Sequence, residues 1–245
     1  MRERFQSGDF SGFVRTRDWI FDLDNTLYPA DSNLFVQVDQ RMGGFIAELL
    51  GVPFAEARRI QKDFYYRYGT TLAGLMQEHR IKPEAFLDYV HDIDLAPISP
   101  APLLASAITA LPGRKFVFTN GSLRHAERVT ERLGIAHVFD GFFDIAAADY
   151  VPKPNQQAYA AFAKRFGITT QAAAMFEDLP HNLEAPHVLG MVTVLVRSSF
   201  ADHPSQAKID AWDVLPAHVH HYTEDLTGFV ESVGAHLKAE ADEAG

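Results

Sequence analysis

Five short apolar runs, each closed by polar residues, set the limits on how this chain can fold: DWIFDL (18–23), KFVFT (115–119), GFFDIAA (141–147), AAMFED (173–178) and TVLVRS (193–198). A strand that is apolar along its length, rather than alternating, has both faces covered. Segments of helical period separate the later runs. Leu123 to Leu133 precedes Gly134, Asn155 to Phe166 precedes Gly167, and Leu183 to Leu189 precedes Gly190, each glycine standing where a helix stops. Strands alternating with helices of this length predict an α/β domain, a doubly wound parallel sheet covered on both sides. Ligands of such a sheet bind at the carboxyl ends of its strands.

The first two runs are too far apart for a simple crossover. Phe35, Val38, Met42, Phe45, Ile46, Leu49 and Leu50 repeat with helical period until Gly51 and Pro53 interrupt it. Further helical stretches cover Ala55–Arg67, Thr71–His79 and Pro83–Val90, and the Pro-rich ISPAP (98–102) marks a return. Residues 31–98 therefore read as an all-helical module inserted into a core made of 1–30 and 99–245. Beside the end of the first strand it is either a lid or a packing accessory. The end, HLKAEADEAG, reads as a frayed helix or a tail.

With 245 residues and 47% hydrophobic content, such a chain buries about 70% of its extended surface without staples. The net charge of −10 disfavours generic nucleic-acid or anionic-membrane binding. The absence of cysteine excludes thiol catalysis, disulfides and cysteine-ligated metals. No apolar run is long enough to span a bilayer, and MRERFQSGDFSG lacks the apolar centre of a signal peptide. The expectation is a cytoplasmic protein with a small-molecule partner; oligomerisation is left open.

Chemistry-bearing residues gather at the strand ends. Asp22 and Asp24 lie two apart and share a face of an extended chain. Carboxylates so close repel unless a cation or a proton stands between them. They read as a Mg²⁺ site with one carboxylate free as a nucleophile, or as an Asx-type turn through Asp24, Asn25 and Thr26. FTNGS offers the Thr119 hydroxyl and the Asn120 and Gly121 amides before a helix, either an anion pocket or an ordinary N-cap. Lys153, between Pro152 and Pro154, is aimed by a restricted backbone and reads as an anion or carboxylate partner. Glu177 and Asp178 close the fourth run, with Asn182 just beyond; buried charges there need a divalent cation or Lys153, although Asp178 also suits an N-cap.

Taken together, Asp22/Asp24/Thr26, Thr119, Lys153 and Glu177/Asp178 resemble the four motifs of the haloacid dehalogenase superfamily of aspartate-nucleophile phosphohydrolases, over nearly the whole chain. The insert after DLDNTLYP is similar to that superfamily's first-position caps. FDLDNTLYP, YGTTLAGL (68–75), VHDID (90–94), FTNGSLRHAERV (118–129), PKP and FEDLPHNL (176–183) most resemble its pyrimidine 5′-nucleotidase group.

The resemblance implies a Mg²⁺-dependent phosphatase of small phosphomonoesters, with UMP or CMP as first choice. Asp22 is then the nucleophile and Asp24 the acid and base. Asp22, the Asp24 carbonyl and Asp178 hold the metal, with Glu177 adjacent or acting through water. Thr119, Asn120 and Lys153 bind phosphate, and Asn182, where the family often has Asp, steadies the acidic loop. A sugar-phosphate phosphatase or phosphomutase would share these core residues. Halide displacement has no use for an acid at Asp24, and a phospho-accepting signalling module is shorter and has no insert.

Other residues carry less. His218, His220 and His221 read as surface side chains, and His79, His91 and His125 as scattered, with His181 nearest the site. The run FYYRYG (64–69) fits either helical core or a surface for a base, with Tyr65, Tyr66 and Arg67 as possible substrate contacts.

Overall fold

Strand β1 (Asp18–Phe21) is buried at every position because it lies in the middle of a parallel sheet. It pairs on one side with β2 (Arg114–Phe118), Phe21 opposite Val117, and on the other with β4 (Ala173–Glu177), Phe21 opposite Phe176. With β3 (Gly141–Phe143), β5 (Val192–Val196) and β6 (His221–Thr223), the six strands run in the order β3-β2-β1-β4-β5-β6. This is a doubly wound parallel sheet. The computed structural model describes residues 8–197 and 205–244; the first seven residues of MRERFQSGDFSG, Ser198 of TVLVRS and the final Gly245 lie outside the described residues.

Two strands differ from expectation. The third stops at Phe143 because Asp144 turns the chain: its carboxylate accepts from the Leu123 and Ala147 amides at 3.0 and 2.9 Å. The sixth, HYT, is a short edge strand with no apolar run to announce it, held by pairing of Val194 with His221.

The alternation of β1 divides the core. Trp19 and Phe21 face one layer with Phe13, Phe176, Leu104, Ile108 and Val230; Ile20 faces the other with Phe116, Phe118, Phe143, Phe162 and Met175. Phe21 and Phe176 stack with ring centroids 4.6 Å apart, directly beneath the strand ends that carry the acids.

The helices over 34–90, 123–133 and 156–166 follow the periodic signals closely. Between β1 and β2 lie α1 (Leu34–Leu50), α2 (Phe54–Tyr68), α3 (Thr71–His79), α4 (Pro83–Val90) and α5 (Pro102–Ala110). After β2 come α6 (Leu123–Leu133) and α7 (Gln156–Phe166), each stopped by a left-handed glycine, Gly134 and Gly167. The helix expected over 183–189 divides into a 3₁₀ turn at Pro180–Leu183 and a short α8 (Glu184–Val188). Beyond it are α9 (Gln206–Asp210) and α10 (Leu226–Ala244). Val230 and Val233 anchor the first half of that last helix in the core, and its last stretch, expected as a frayed helix or a tail, is helical to Ala244 with residues 238–243 exposed. No helix among the described residues is long and apolar enough to cross a membrane.

The turn into β2 depends on Gly113. Its φ is +83°, and a Cβ there would lie 2.1 Å from the Arg17 carbonyl oxygen, which also accepts from the Arg114 amide. Gly113→Ala is expected to cost about 2 kcal/mol or more, through left-handed strain plus the clash. Urea unfolding measures it, and a change under about 0.5 kcal/mol would show that this closure is not rigid.

Candidate active site

Where β1 ends, the Asp22 amide still donates to the Phe176 carbonyl at 2.9 Å, so the strand pairing itself delivers the Asp22 carboxylate to the sheet edge. Asn25 then adopts a left-handed backbone (φ 61°), a conformation asparagine tolerates better than most residues. That bend brings its Nδ2 to Asp178 Oδ2 at 3.4 Å and the Thr26 hydroxyl to Asp22 Oδ2 at 3.2 Å.

Lys153 joins the parts. Its buried ammonium donates to Asp22 Oδ1 at 2.6 Å, Glu177 Oε1 at 2.8 Å and the Phe118 carbonyl at 2.8 Å. Those three bonds use all three of its hydrogens. The Asn120 side chain clamps the lysine's own peptide, accepting from its N–H at 2.8 Å and donating to its carbonyl at 3.2 Å. Glu177 also accepts from Asn182 Nδ2 at 2.7 Å and from the Leu179 amide at 2.9 Å. Asn182 is anchored in turn by Tyr159, whose hydroxyl donates to its carbonyl at 2.6 Å.

Asp22, Glu177 and Asp178 each present an oxygen within 4.8 Å of the others. Three buried carboxylates face one buried ammonium, and the site is short of positive charge. Burial pushes the Asp22 carboxyl up to about 7, with Lys153 opposing and Glu177 and Asp24 adding to the rise. Burial, then Glu177 and Asp22, push Asp178 up as well. Burial alone would lower the Lys153 ammonium, but Asp22 and Glu177 more than offset it and drive its pKa up. A hard, divalent cation suits a set of carboxylate oxygens with this deficit. Glu177 accepts N–H donors on both oxygens, and Asp22 likewise accepts Lys153 on one oxygen and the Thr26 hydroxyl on the other.

Asp24 stands apart from this cluster. Its Oδ1 accepts from the Tyr28 hydroxyl at 2.6 Å and meets His125 Nε2 at 2.9 Å. Burial would raise its carboxyl, but His125 and Tyr28 outweigh that and hold it below the usual range. Burial, then the Asp24 charge, push the Tyr28 phenol up, so it stays protonated as a donor.

The structure thus brings Asp22, Asp24, Thr119, Asn120, Lys153, Glu177 and Asp178 to one edge. Some expectations need correction. The Gly121 amide donates to Thr119 Oγ1 at 2.9 Å, and in this arrangement serves that hydroxyl rather than an anion. Arg67 pairs with Asp63 and Glu78 on the insert surface and does not point to the acids. Of the aromatic run, Phe64 is core, Tyr66 is 81% exposed, and Tyr65 alone responds to the site: burial, then the Asp178 and Glu177 charges, push its phenol up. His221 is not a surface residue; it is buried with its ring 4.8 Å from Phe13.

Sequence reasoning ranked His181 above the histidine that touches Asp24. The signal for His125 was available: it follows the N-cap Ser122 and shares the buried face of α6 with Ala126, Val129 and Leu133. A histidine on an apolar stripe one turn from a strand end has a polar task there. Tyr28 and His91 were missed for lack of any comparable signal.

A family model for haloacid dehalogenase-like hydrolases matches residues 20–190, more than two-thirds of the chain, and the chain belongs to that family. Among curated proteins, Phosphate metabolism protein 8 of Saccharomyces cerevisiae is 27% identical over 195 residues, 72% of this chain and 60% of that protein. The chain thus spans about three-fifths of that relative's length. Among solved structures, a HAD phosphatase from Thermococcus onnurineus superimposes with a TM-score of 0.57 at 15% identity, covering 87% of this chain and 96% of that one. L-2-haloacid dehalogenase from Xanthobacter autotrophicus gives 0.51 at 14%, covering 92% and 98%. At those identities the structures establish a shared fold.

A proton on Asp22 or Asp178 competes with a metal for the same oxygens. Because burial raises Asp22 to about 7, Mg²⁺ affinity is expected to strengthen as pH rises from about 6 to 8, with proton release on binding at the acid end. Calorimetric titration checks it; affinity constant over that range would remove Asp22 from the ligand set. Lys153→Met strands Asp22 and Glu177 without their cation and is expected to cost about 3–5 kcal/mol in metal-free urea unfolding.

Proposed function

We propose that this hydrolase is a Mg²⁺-dependent phosphatase acting on small phosphomonoesters, with pyrimidine 5′-nucleotides as the preferred substrates. One observation carries the reading: two aspartates two residues apart occupy opposite environments. Asp22 lies in a buried cluster short of positive charge, while Asp24 has a donor set of its own. A nucleophile and a proton carrier need that separation. Halide displacement would leave the second aspartate without work.

The insert serves as the cap in this reading, with 31–98 against a core of 1–30 and 99–245. Asp22 attacks phosphorus, forming an acyl–phosphate bond as the ester P–O bond breaks, and Asp24 protonates the departing alkoxide. Asp24 then accepts a proton from the water that attacks the phosphoenzyme, and the Asp22 carboxylate leaves phosphorus. The balance is ester plus water to alcohol plus phosphate. Asp22, Asp178 and the Asp24 carbonyl would hold Mg²⁺, which when bound would supply charge neutralisation for the transferring oxygens. Thr119, whose hydroxyl is steadied by Gly121, and the Asn120 backbone amide face the same oxygens. Lys153 offsets the charge of Asp22 and Glu177 and reaches phosphate by releasing one present bond.

The nucleotide preference rests on the subfamily motifs and on Tyr65, an aromatic cap residue within the field of Asp178 and Glu177. A phosphatase or phosphomutase for sugar phosphates is the alternative, since it would use the same core residues.

Phosphate release from UMP and AMP with saturating Mg²⁺ tests both levels. UMP is expected to be turned over faster, and release should stop on chelation and in Asp22→Asn. Equal release discards the pyrimidine assignment, whereas turnover surviving Asp22→Asn discards the nucleophile.

A further inference from the structure

Two donors from different parts of the chain converge on one oxygen of Asp24. Tyr28 hydroxyl and His125 Nε2 both meet Oδ1, at 2.6 and 2.9 Å. An oxygen that accepts two hydrogen bonds has no room for a proton, so Oδ2 is the atom on which Asp24 carries one. The terminal torsion of an aspartate is broad and roughly two-fold, and a single donor would leave it loosely held.

The His125 ring is itself held from outside the core. Its side chain is fully buried and its Nδ1 has no hydrogen-bond partner, whereas Nε2 lies 2.9 Å from Asp24 Oδ1, so Nε2 is the nitrogen that donates to Asp24. His91, the residue that caps α4 of the insert, stacks on it with centroids 4.3 Å apart and planes 10° from parallel. His91 Nδ1 bonds Ser122 Oγ at 2.9 Å, the hydroxyl that also accepts the His125 amide at 3.3 Å. Arg128, one turn along α6 from His125, donates to the His91 and Ile93 carbonyls at 2.9 and 3.2 Å. On a third side Gly121 lies close by: a Cβ there would be 3.2 Å from Thr119 Oγ1 and in ordinary contact with His125 at 3.4 Å and His91 at 3.5 Å.

We propose that His125 is a positioning residue for Asp24, and that His91, carried by the helical insert, holds His125 in the orientation this requires. The inference rests on the phosphatase reading and deepens it: docking of the insert on α6 sets the direction of the carboxyl that transfers protons. The proton on Asp24 Oδ2 passes to the ester oxygen as the P–O bond breaks, and water returns one when it attacks phosphorus. His125 keeps its own hydrogen throughout and transfers nothing.

The test compares two substrates by kcat/KM, which reports steps through leaving-group departure. An alkyl phosphate needs its leaving oxygen protonated; 4-nitrophenyl phosphate does not, because nitrophenolate departs as an anion. His125→Phe keeps a ring for the His91 stack and removes the donor. It is expected to lower kcat/KM for the alkyl phosphate about tenfold or more while changing 4-nitrophenyl phosphate less than about threefold. His125→Gln, which keeps an N–H near the Nε2 position, should restore most of the alkyl phosphate activity, and this variant guards against a folding artefact. His91→Ala should shift the ratio of the two substrates in the same direction as His125→Phe. Equal losses on both substrates would make His125 merely structural and overturn the proposal, as would full alkyl phosphate activity in His125→Phe. An unchanged ratio in His91→Ala would overturn the role of the insert. A wild-type enzyme inactive on both substrates would instead defeat the phosphatase reading itself.

Discussion

A single buried ammonium ties this site together. Lys153 bridges Asp22 at the end of β1, Glu177 at the end of β4 and the last carbonyl of β2, so three adjacent strands are cross-linked by one side chain. The charge-assisted bonds are strong because the ammonium is withdrawn from solvent: Lys153 is 2% exposed and the Phe118 ring lies 5.2 Å from its nitrogen. The same environment makes each partner dependent on the others, since an isolated charge at this depth would be prohibitive.

The cross-link leaves the charge only partly balanced. Asp178 joins Asp22 and Glu177 within reach of one another, and burial raises the two aspartates because one ammonium cannot neutralise three carboxylates. A site with a standing deficit of positive charge takes a divalent cation readily and then presents a less negative face to a phosphate dianion. Glu177, occupied by Lys153, Asn182 and Leu179, maintains the frame of the acidic cluster. Asp24 escapes the cluster through Tyr28 and His125, which is how two acids two residues apart acquire different proton affinities.

The helical insert meets the core at this second environment. His91 and Arg128 build a seam in which insert backbone, a core helix and the Asp24 partner share contacts. Tyr150 adds a second tie, its hydroxyl donating to Glu84 at 3.0 Å, and Tyr65 overlooks the acids from α2. Burial and then His125 push His91 down to about 3, so the stacked pair is not a pair of cations and can remain closed near neutral pH.

The sequence by itself determined the parallel sheet, the helical nature of the insert and which residues stand at strand ends. Those features are written in local terms: continuous apolar runs, helical period, stopping glycines and acids that close a strand. The apolar DWIF run marks β1 as a covered strand, and Asp22, Glu177 and Asp178 are placed by the sequence at the ends of their strands. Contacts across long separations were decided only in the tertiary structure. His125 meets Asp24 across 101 residues and Ser122 meets His91 across 31, pairings that no spacing rule encodes. The edge strand HYT likewise exists because β5 offers it a register, not because its own residues demand one. Burial completes the division: desolvation and neighbouring charge raise the pKa of Asp22 and Asp178, while His125 and Tyr28 lower that of Asp24 against desolvation, and a linear sequence contains none of these surroundings.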